Sequence, residues 1–207
     1  GKLPVDVKAE GLDMLTLAGH KFHGPKGSGA LWLGRGVRVR PVQRGGPQER
    51  ERRGGTENTA GAIGLGVAAR LTCDFTRDRD RISRLEAMRN HFERRVREAL
   101  PDTVVNGSGL PRLWNTTNLG FPRLESEAIL IGLSERGVCA SAGAACSSGS
   151  IEPSPVLLAM GVPEAVAHGS VRFSMSRDST DAELDTAIHA IQTVTARLQR
   201  AMPTAAG

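Results

Sequence analysis

The spacing of apolar positions changes near residue 77. Before it, Leu12 to Leu17 and Ala30 to Leu33 are short apolar runs bounded by glycine-rich loops, which predicts strands. The loop from Ala18 to Gly29 carries glycine at Gly19, Gly24, Gly27 and Gly29 and a proline at Pro25, a composition that permits close backbone approach. A second polar loop, Arg44 to Asn58, ends at a helix cap, Asn58 or Thr59, ahead of the small-residue run Ala60 to Leu71. Beyond residue 77, Ile82, Leu85, Met88, Phe92, Val96 and Leu100 step by three or four along a long helix that Pro101 ends. Thr103 to Asn106 and Leu113 to Phe121 read as strands, and Glu125 to Arg136 as a helix closed by Gly137. A short helix opens on Pro155 and stops at Gly161, followed by an alternating strand, Val171 to Met175. The last helix starts from a capping box, Thr180 and Glu183, and buries Leu184, Ile188, Ile191, Val194 and Leu198. This alternation predicts a glycine-rich α/β piece over residues 1–76 and a small α+β domain over 77–207.

Composition narrows the class. The 207 residues are 39% hydrophobic and 24% charged, the balance of a globular chain, with no apolar run long enough for a membrane span. No signal-peptide profile opens the chain, so a cytoplasmic location is expected. Net charge is +5, from 27 basic and 22 acidic residues, and only Lys2, Lys8, Lys21 and Lys26 of the basic ones are lysine. Aromatics are 3% with no tyrosine, which removes the stacking platforms a nucleic-acid binder uses. Arginines crowd between Arg77 and Arg97 among Asp78, Asp80, Glu86 and Glu93, the pattern of a solvated, salt-bridged helix face. Cys73, Cys139 and Cys146 form no CxxC pair, which argues against both a disulfide framework and a zinc site. Cys73 and Cys139 are expected as buried small hydrophobes.

Three side chains could do chemistry. Lys21, beside His20 in a glycine-rich loop, has the open setting of a nucleophilic amine. Cys146 stands in a run of Ser, Ala and Gly with little apolar cover, the setting of a reactive thiol. Arg172 alternates with Val171 and Phe173 and so faces away from them, and arginine suits a bidentate grip on a carboxylate. Each alone also fits a blander role: a solvated lysine, an accidental loop thiol, a surface arginine.

Their order carries more. Gly19-His20-Lys21-Phe22-His23-Gly24-Pro25-Lys26-Gly27, the loop Arg44-Gly45-Gly46 through Gly55-Thr56-Glu57-Asn58, Ala142 to Ser150 around Cys146, and Ala167-His168-Gly169-Ser170-Val171-Arg172-Phe173-Ser174 together resemble the cysteine desulfurases of the NifS/IscS type. That resemblance implies the class V aminotransferase family, the fold type I pyridoxal-phosphate architecture and the cofactor pyridoxal 5'-phosphate. The chain would supply the C-terminal part of the large cofactor-binding domain and then the small α+β domain. Lys21 matches the lysine that holds the cofactor covalently and moves protons at the substrate α carbon, and His20 matches a phosphate-loop contact. Ala18 stands where many members carry a phosphate-binding serine, so that contact is missing. Thr56 matches a residue reaching the cofactor phosphate of the neighbouring subunit in a homodimer. Cys146 matches the loop cysteine that takes sulfur from the substrate as a persulfide, and Arg172 the clamp for the substrate carboxylate.

The implied reaction converts L-cysteine to L-alanine and passes sulfur to an acceptor protein such as an iron-sulfur scaffold. Selenocysteine lyase, another class V enzyme, or a non-catalytic truncated copy serving as an interaction module are the alternatives; no metal is expected. The resemblance covers only the latter half of the family's length. The aspartate that pairs with the pyridine nitrogen, a glutamine and the ring-stacking histidine lie upstream of the matching segment, and Asp6 and Asp13 fall on the wrong side to replace the aspartate. The chain is therefore expected to be a C-terminal fragment, aggregation-prone and without turnover alone.

Overall fold

The computed structural model describes residues 1–142 and 153–201 and divides the chain into two compact units, Gly1–Ile82 and Ser83–Gly207. The first is built on an antiparallel hairpin of β1 (Met14–Ala18) and β2 (Gly29–Leu33), in register from Met14 opposite Leu33 to Ala18 opposite Gly29. A single 3-10 turn, Gly19–Phe22, leaves β1 directly. The polar loop beyond β2 contains one short turn, α1 (Gln48–Glu51), and leads to the long α2 (Thr59–Arg77). Asn58 is the cap of α2, its Oδ1 accepting from the Gly61 N–H at 2.9 Å. The helix runs six residues past the predicted Leu71, because Thr72 to Arg77 contains no glycine or proline to stop it.

The second unit begins within α3 (Arg79–Ala99), continues through β3 (Val104–Val105), β4 (Thr116–Gly120), α4 (Ser126–Ser134), α5 (Pro155–Ala159), α6 (Glu164–Ala167) and β5 (Ser170–Ser174), and ends in α7 (Asp181–Ala201). Its sheet is antiparallel with order β3-β4-β5. Leu119, Val171 and Phe173 on one sheet face, Leu85, Phe92 and Val96 on α3, Ile129 and Leu133 on α4, and Ile188, Ile191 and Val194 on α7 are all buried. The Phe92 and Phe173 rings meet at 5.4 Å, tying α3 to β5. Gly132 lets α4 approach α7, since a Cβ there would sit 2.8 Å from Val194. The predicted capping box is formed in both directions: Glu183 accepts from the Thr180 N–H at 2.8 Å, and Thr180 Oγ1 accepts from the Glu183 N–H at 3.3 Å. The short helix α6, absent from the pattern-based reading, is only four residues long and carries no period of its own.

The arginine-rich stretch is not uniformly a solvated face. Arg89 and Glu93 point inward and are 4% and 9% exposed. Arg112 grips Glu93 with two parallel bonds of 2.8 and 3.0 Å, and Arg89 adds a charge at 3.8 Å while also reaching Glu86 and the Leu113 carbonyl. Burial alone raises the Glu93 pKa, but the Arg112 hydrogen bonds and the charges of Arg112 and Arg89 outweigh it and hold the carboxyl below the ordinary glutamate range.

Candidate functional site

Lys21 is displayed by a turn whose backbone has no spare room. The Gly19 N–H donates to the Ser28 carbonyl at 2.8 Å and the Gly24 N–H to the Gly19 carbonyl at 2.8 Å, which pins the turn at both ends. A Cβ on Gly19 would lie 2.6 Å from Ser28 Oγ, and one on Gly24 would lie 2.9 Å from the Gly19 carbonyl oxygen. Glycine is therefore required at both by sterics as well as by composition. Helix α2 supports the turn from one side: Pro25 packs so closely on Gly64 that a Cβ there would be 2.6 Å from the proline ring. Phe22 is buried and acts as the anchor, and its neighbours His20 and Lys21 are exposed. Lys21 makes no ion pair among the described residues. The arrangement fixes the backbone and leaves the amine open to a ligand.

Thr56 follows a second close backbone approach. The Gly54 N–H donates to the Gln43 carbonyl at 2.9 Å, and a Cβ on Gly54 would meet the Gly45 backbone at 2.8 Å. Gly55 has φ +100, a left-handed value that favours glycine, and its N–H donates to Gln48 Oε1 at 3.3 Å. The loop is thus a closed structure from which Thr56 emerges exposed. A concavity of about 700 Å³ along the same loop is lined by Arg38, Arg44, Arg50 and Arg52, a basic surface that spacing alone did not single out. His20, Lys21 and Thr56 all belong to the first unit, the first two on the Gly19–Phe22 turn and Thr56 on a separate loop, and no hydrogen bond joins Thr56 to Lys21.

Arg172 belongs to the second unit, in β5. Val171 and Phe173 are buried on the core side while Arg172 is half-buried on the other, as the alternation predicts. Arg172 stands opposite Asn118 of β4 in the register, and its backbone is held by an isolated bridge to Ser141 on its other side. Its Nε is buried and has no hydrogen-bond partner among the described residues. A buried guanidinium donor left without an acceptor is costly, so this atom is suited to an anionic ligand.

Cys146 lies outside the described residues. The expectation for the other thiols is corrected: Cys73 and Cys139 are both free and exposed. Cys73 lies within α2, which continues past it, and Cys139 comes two residues after Gly137, whose φ of +74 closes α4. Small apolar character placed neither of them inside, because burial is decided by the tertiary packing and not by the residue type alone.

Within the first unit the residues present fit pyridoxal phosphate: an open primary amine on a rigid turn and a hydroxyl after a glycine in a left-handed conformation. Among the described residues no cluster of His, Cys, Asp or Glu has the make-up of a metal site, and no helix is long and apolar enough to cross a membrane.

Comparison with known proteins gives a consistent picture. The family model for aminotransferase class-V matches residues 1–186. Cysteine desulfurase 2 of Trichormus variabilis is 50% identical over 203 residues, which is 98% of this chain and 50% of that protein. A NifS-like protein from Rickettsia africae superposes with a TM-score of 0.80 at 30% identity, over 94% of this chain and 51% of its own. SspA, solved in complex with cysteine, gives a TM-score of 0.59 at 33% identity, over 86% of this chain and 48% of its own. The chain spans about half the length of the curated relatives it matches.

Proposed function

The chain belongs to the aminotransferase class-V family, an α/β family of pyridoxal-phosphate enzymes, and from that premise we propose that the whole protein is a cysteine desulfurase. The carrying observation is 50% identity to such an enzyme over 98% of the chain, in a sequence that has Lys21, Cys146 and Arg172 in the expected order. In this reading the chain is the C-terminal half of the enzyme: the end of the large domain, then the small α+β domain. The protein works as a homodimer in the cytoplasm.

The bound cofactor supplies an electron sink that lets bonds at the substrate α carbon break. Lys21 holds it covalently and moves the proton at the α carbon, and its rigid turn keeps the amine in place while substrate exchanges. His20 and, across the dimer, Thr56 bind the phosphate. Arg172 orients L-cysteine through its carboxylate. The Cys146 thiolate then attacks the substrate sulfur: an S–S bond forms, the carbon–sulfur bond breaks with its electron pair going to carbon, and L-alanine leaves after protonation. The persulfide passes to an acceptor protein, an iron-sulfur scaffold being the partner this chemistry suits.

The test uses the whole protein. Lys21→Ala is expected to lose the borohydride-reducible link to the cofactor. Cys146→Ser is expected to keep cofactor absorbance while sulfide release from cysteine stops, with Cys73→Ser and Cys139→Ser nearly unchanged. A reducible link that survives in Lys21→Ala, or equal loss in all three cysteine variants, overturns the assignment. The 207 residues alone are expected to give no turnover.

A further inference from the structure

The small sheet of the second unit carries a polar rung of which the reaction above uses one member. Arg172 lies opposite Asn118 in the antiparallel register, and Ser141 bridges Arg172 from the other side. The rung continues into the chain after β3, where the Asn106 N–H donates to the Asn118 carbonyl at 2.9 Å. Residues paired across strands share a face, so Asn106, Asn118, Arg172 and Ser141 form one polar row. Both backbone groups of Arg172 are committed to Ser141: its N–H donates at 2.7 Å and its carbonyl accepts at 3.1 Å. The pairing with Asn118 is then of the non-hydrogen-bonded kind, in which Cα atoms stand about 4.5 Å apart and side chains approach most closely.

The Asn118 carboxamide is held in one orientation. Its Oδ1 accepts from Asn106 Nδ2 at 2.6 Å, and Asn106 Nδ2 also donates to Ser170 Oγ at 2.9 Å, whose hydroxyl donates to the Val166 carbonyl at 2.8 Å. The order β3-β4-β5 puts Asn106 on one side of Asn118 and Arg172 on the other. With Oδ1 committed toward Asn106, Nδ2 is left for the β5 side, and it donates to none of the described residues. Arg172 Nε is buried and equally without an acceptor among them. Two donors on one rung, one of them charged, thus lack an acceptor among the described residues. A carboxylate, with two acceptor oxygens and a negative charge, satisfies both.

We propose that Asn118, oriented by Asn106, is a second donor to the substrate carboxylate beside Arg172. This rests on the reading of Arg172 as the carboxylate clamp. The rung selects a free carboxylate over an ester or amide, since a neutral substrate leaves the guanidinium without its counter-charge.

The measurement is the ¹⁵N-edited NMR signal of Arg172 Nε–H in the full chain, identified by its loss in Arg172→Lys. It is titrated with sodium acetate against sodium chloride at equal ionic strength. Acetate is expected to shift the signal saturably. Asn118→Ala is expected to raise the half-saturating acetate concentration by roughly tenfold or more, the loss of one hydrogen bond to a charged acceptor. Asn118→Asp keeps the size and the acceptor for Asn106 but sets a negative charge opposite Arg172, and is expected to abolish the response. An unsubstituted chain that does not respond, or responds equally to chloride, overturns the clamp reading and the proposal with it. An acetate response unchanged in the variants overturns the proposal alone. If Asn118→Ala unfolds the sheet, the isosteric Asn118→Asp decides.

Discussion

The two units bury their apolar residues to different extents. In the second, Leu119, Ile129, Leu133, Val171 and Ile191 are 0% exposed and come from four different elements. In the first, Phe22, Ala68 and Phe75 are the buried apolar side chains, while Met14, Leu17, Leu31, Ile63, Val67 and Leu71 are each more than 40% exposed. Met14 and Leu31 lie on one face of the hairpin and Leu17 on the other, by the register of β1 and β2. Strands apolar on both faces belong to sheets covered on both sides. Ile63, Val67 and Leu71 recur every four residues and line one stripe of α2, the spacing of a helix face meant to pack. The second unit closes its core from within, whereas the first presents Lys21 on a scaffold whose apolar strand and helix faces are exposed. A chain spanning about half the length of its relatives fits this contrast.

The comparison breaks first at the buried ion cluster. Glu93→Ala leaves Arg89 and Arg112 facing each other without their carboxylate and is expected to destabilise the second unit by about 3–5 kcal/mol, measured by urea unfolding followed at Trp114. The pH dependence has a defined sign. Because the folded-state Glu93 pKa is depressed, its stabilising contribution is full above the ordinary glutamate range and is lost as pH falls through the lower folded value. Glu93→Ala should therefore flatten the acid limb of the stability profile, and an unchanged limb would place the acid sensitivity elsewhere.

A paired substitution sharpens the contrast. Leu119→Ala removes a fully buried side chain and is expected to cost about 2–5 kcal/mol, whereas Ile63→Ala, 65% exposed, should change stability by less than about 0.5 kcal/mol and reduce self-association in sedimentation. Equal costs at the two positions would mean that the stripe on α2 is already covered in solution. The smallest effect is at the start of α7, where Thr180→Ala removes one arm of the capping box and should cost about 1 kcal/mol in the same unfolding assay.

Legibility in the sequence followed the range of the interaction that decides each feature. The cap at Asn58 or Thr59, which the structure settles as Asn58, the box of Thr180 and Glu183, the stop at Gly137 and the start at Pro155 were readable, because each is settled by residues within one turn. The alternation that turns Arg172 away from Val171 and Phe173 was readable for the same reason. The inward turn of Arg89 and Glu93 was not. Their charges match a solvated face, and the partner that makes burial tolerable, Arg112, is 19 residues further on. The exposure of Cys73 and Cys139 was missed likewise, since composition says nothing of which positions the packing leaves outside.

By itself the sequence determined the local elements, the order of the motifs, and so the chemistry the side chains could perform, since turn residues, caps and periodicity act over a few residues of chain. Only the tertiary structure decided that Gly19 and Gly24 lock the turn under Lys21, that Arg172 keeps a buried donor without an acceptor among the described residues, and that Asn106 and Asn118 stand in its rung. Those facts depend on strand register and on contacts between distant segments. A shift of one residue in register would turn every side chain of the rung to the opposite face, and only packing of the buried face against α3, α4 and α7 excludes it.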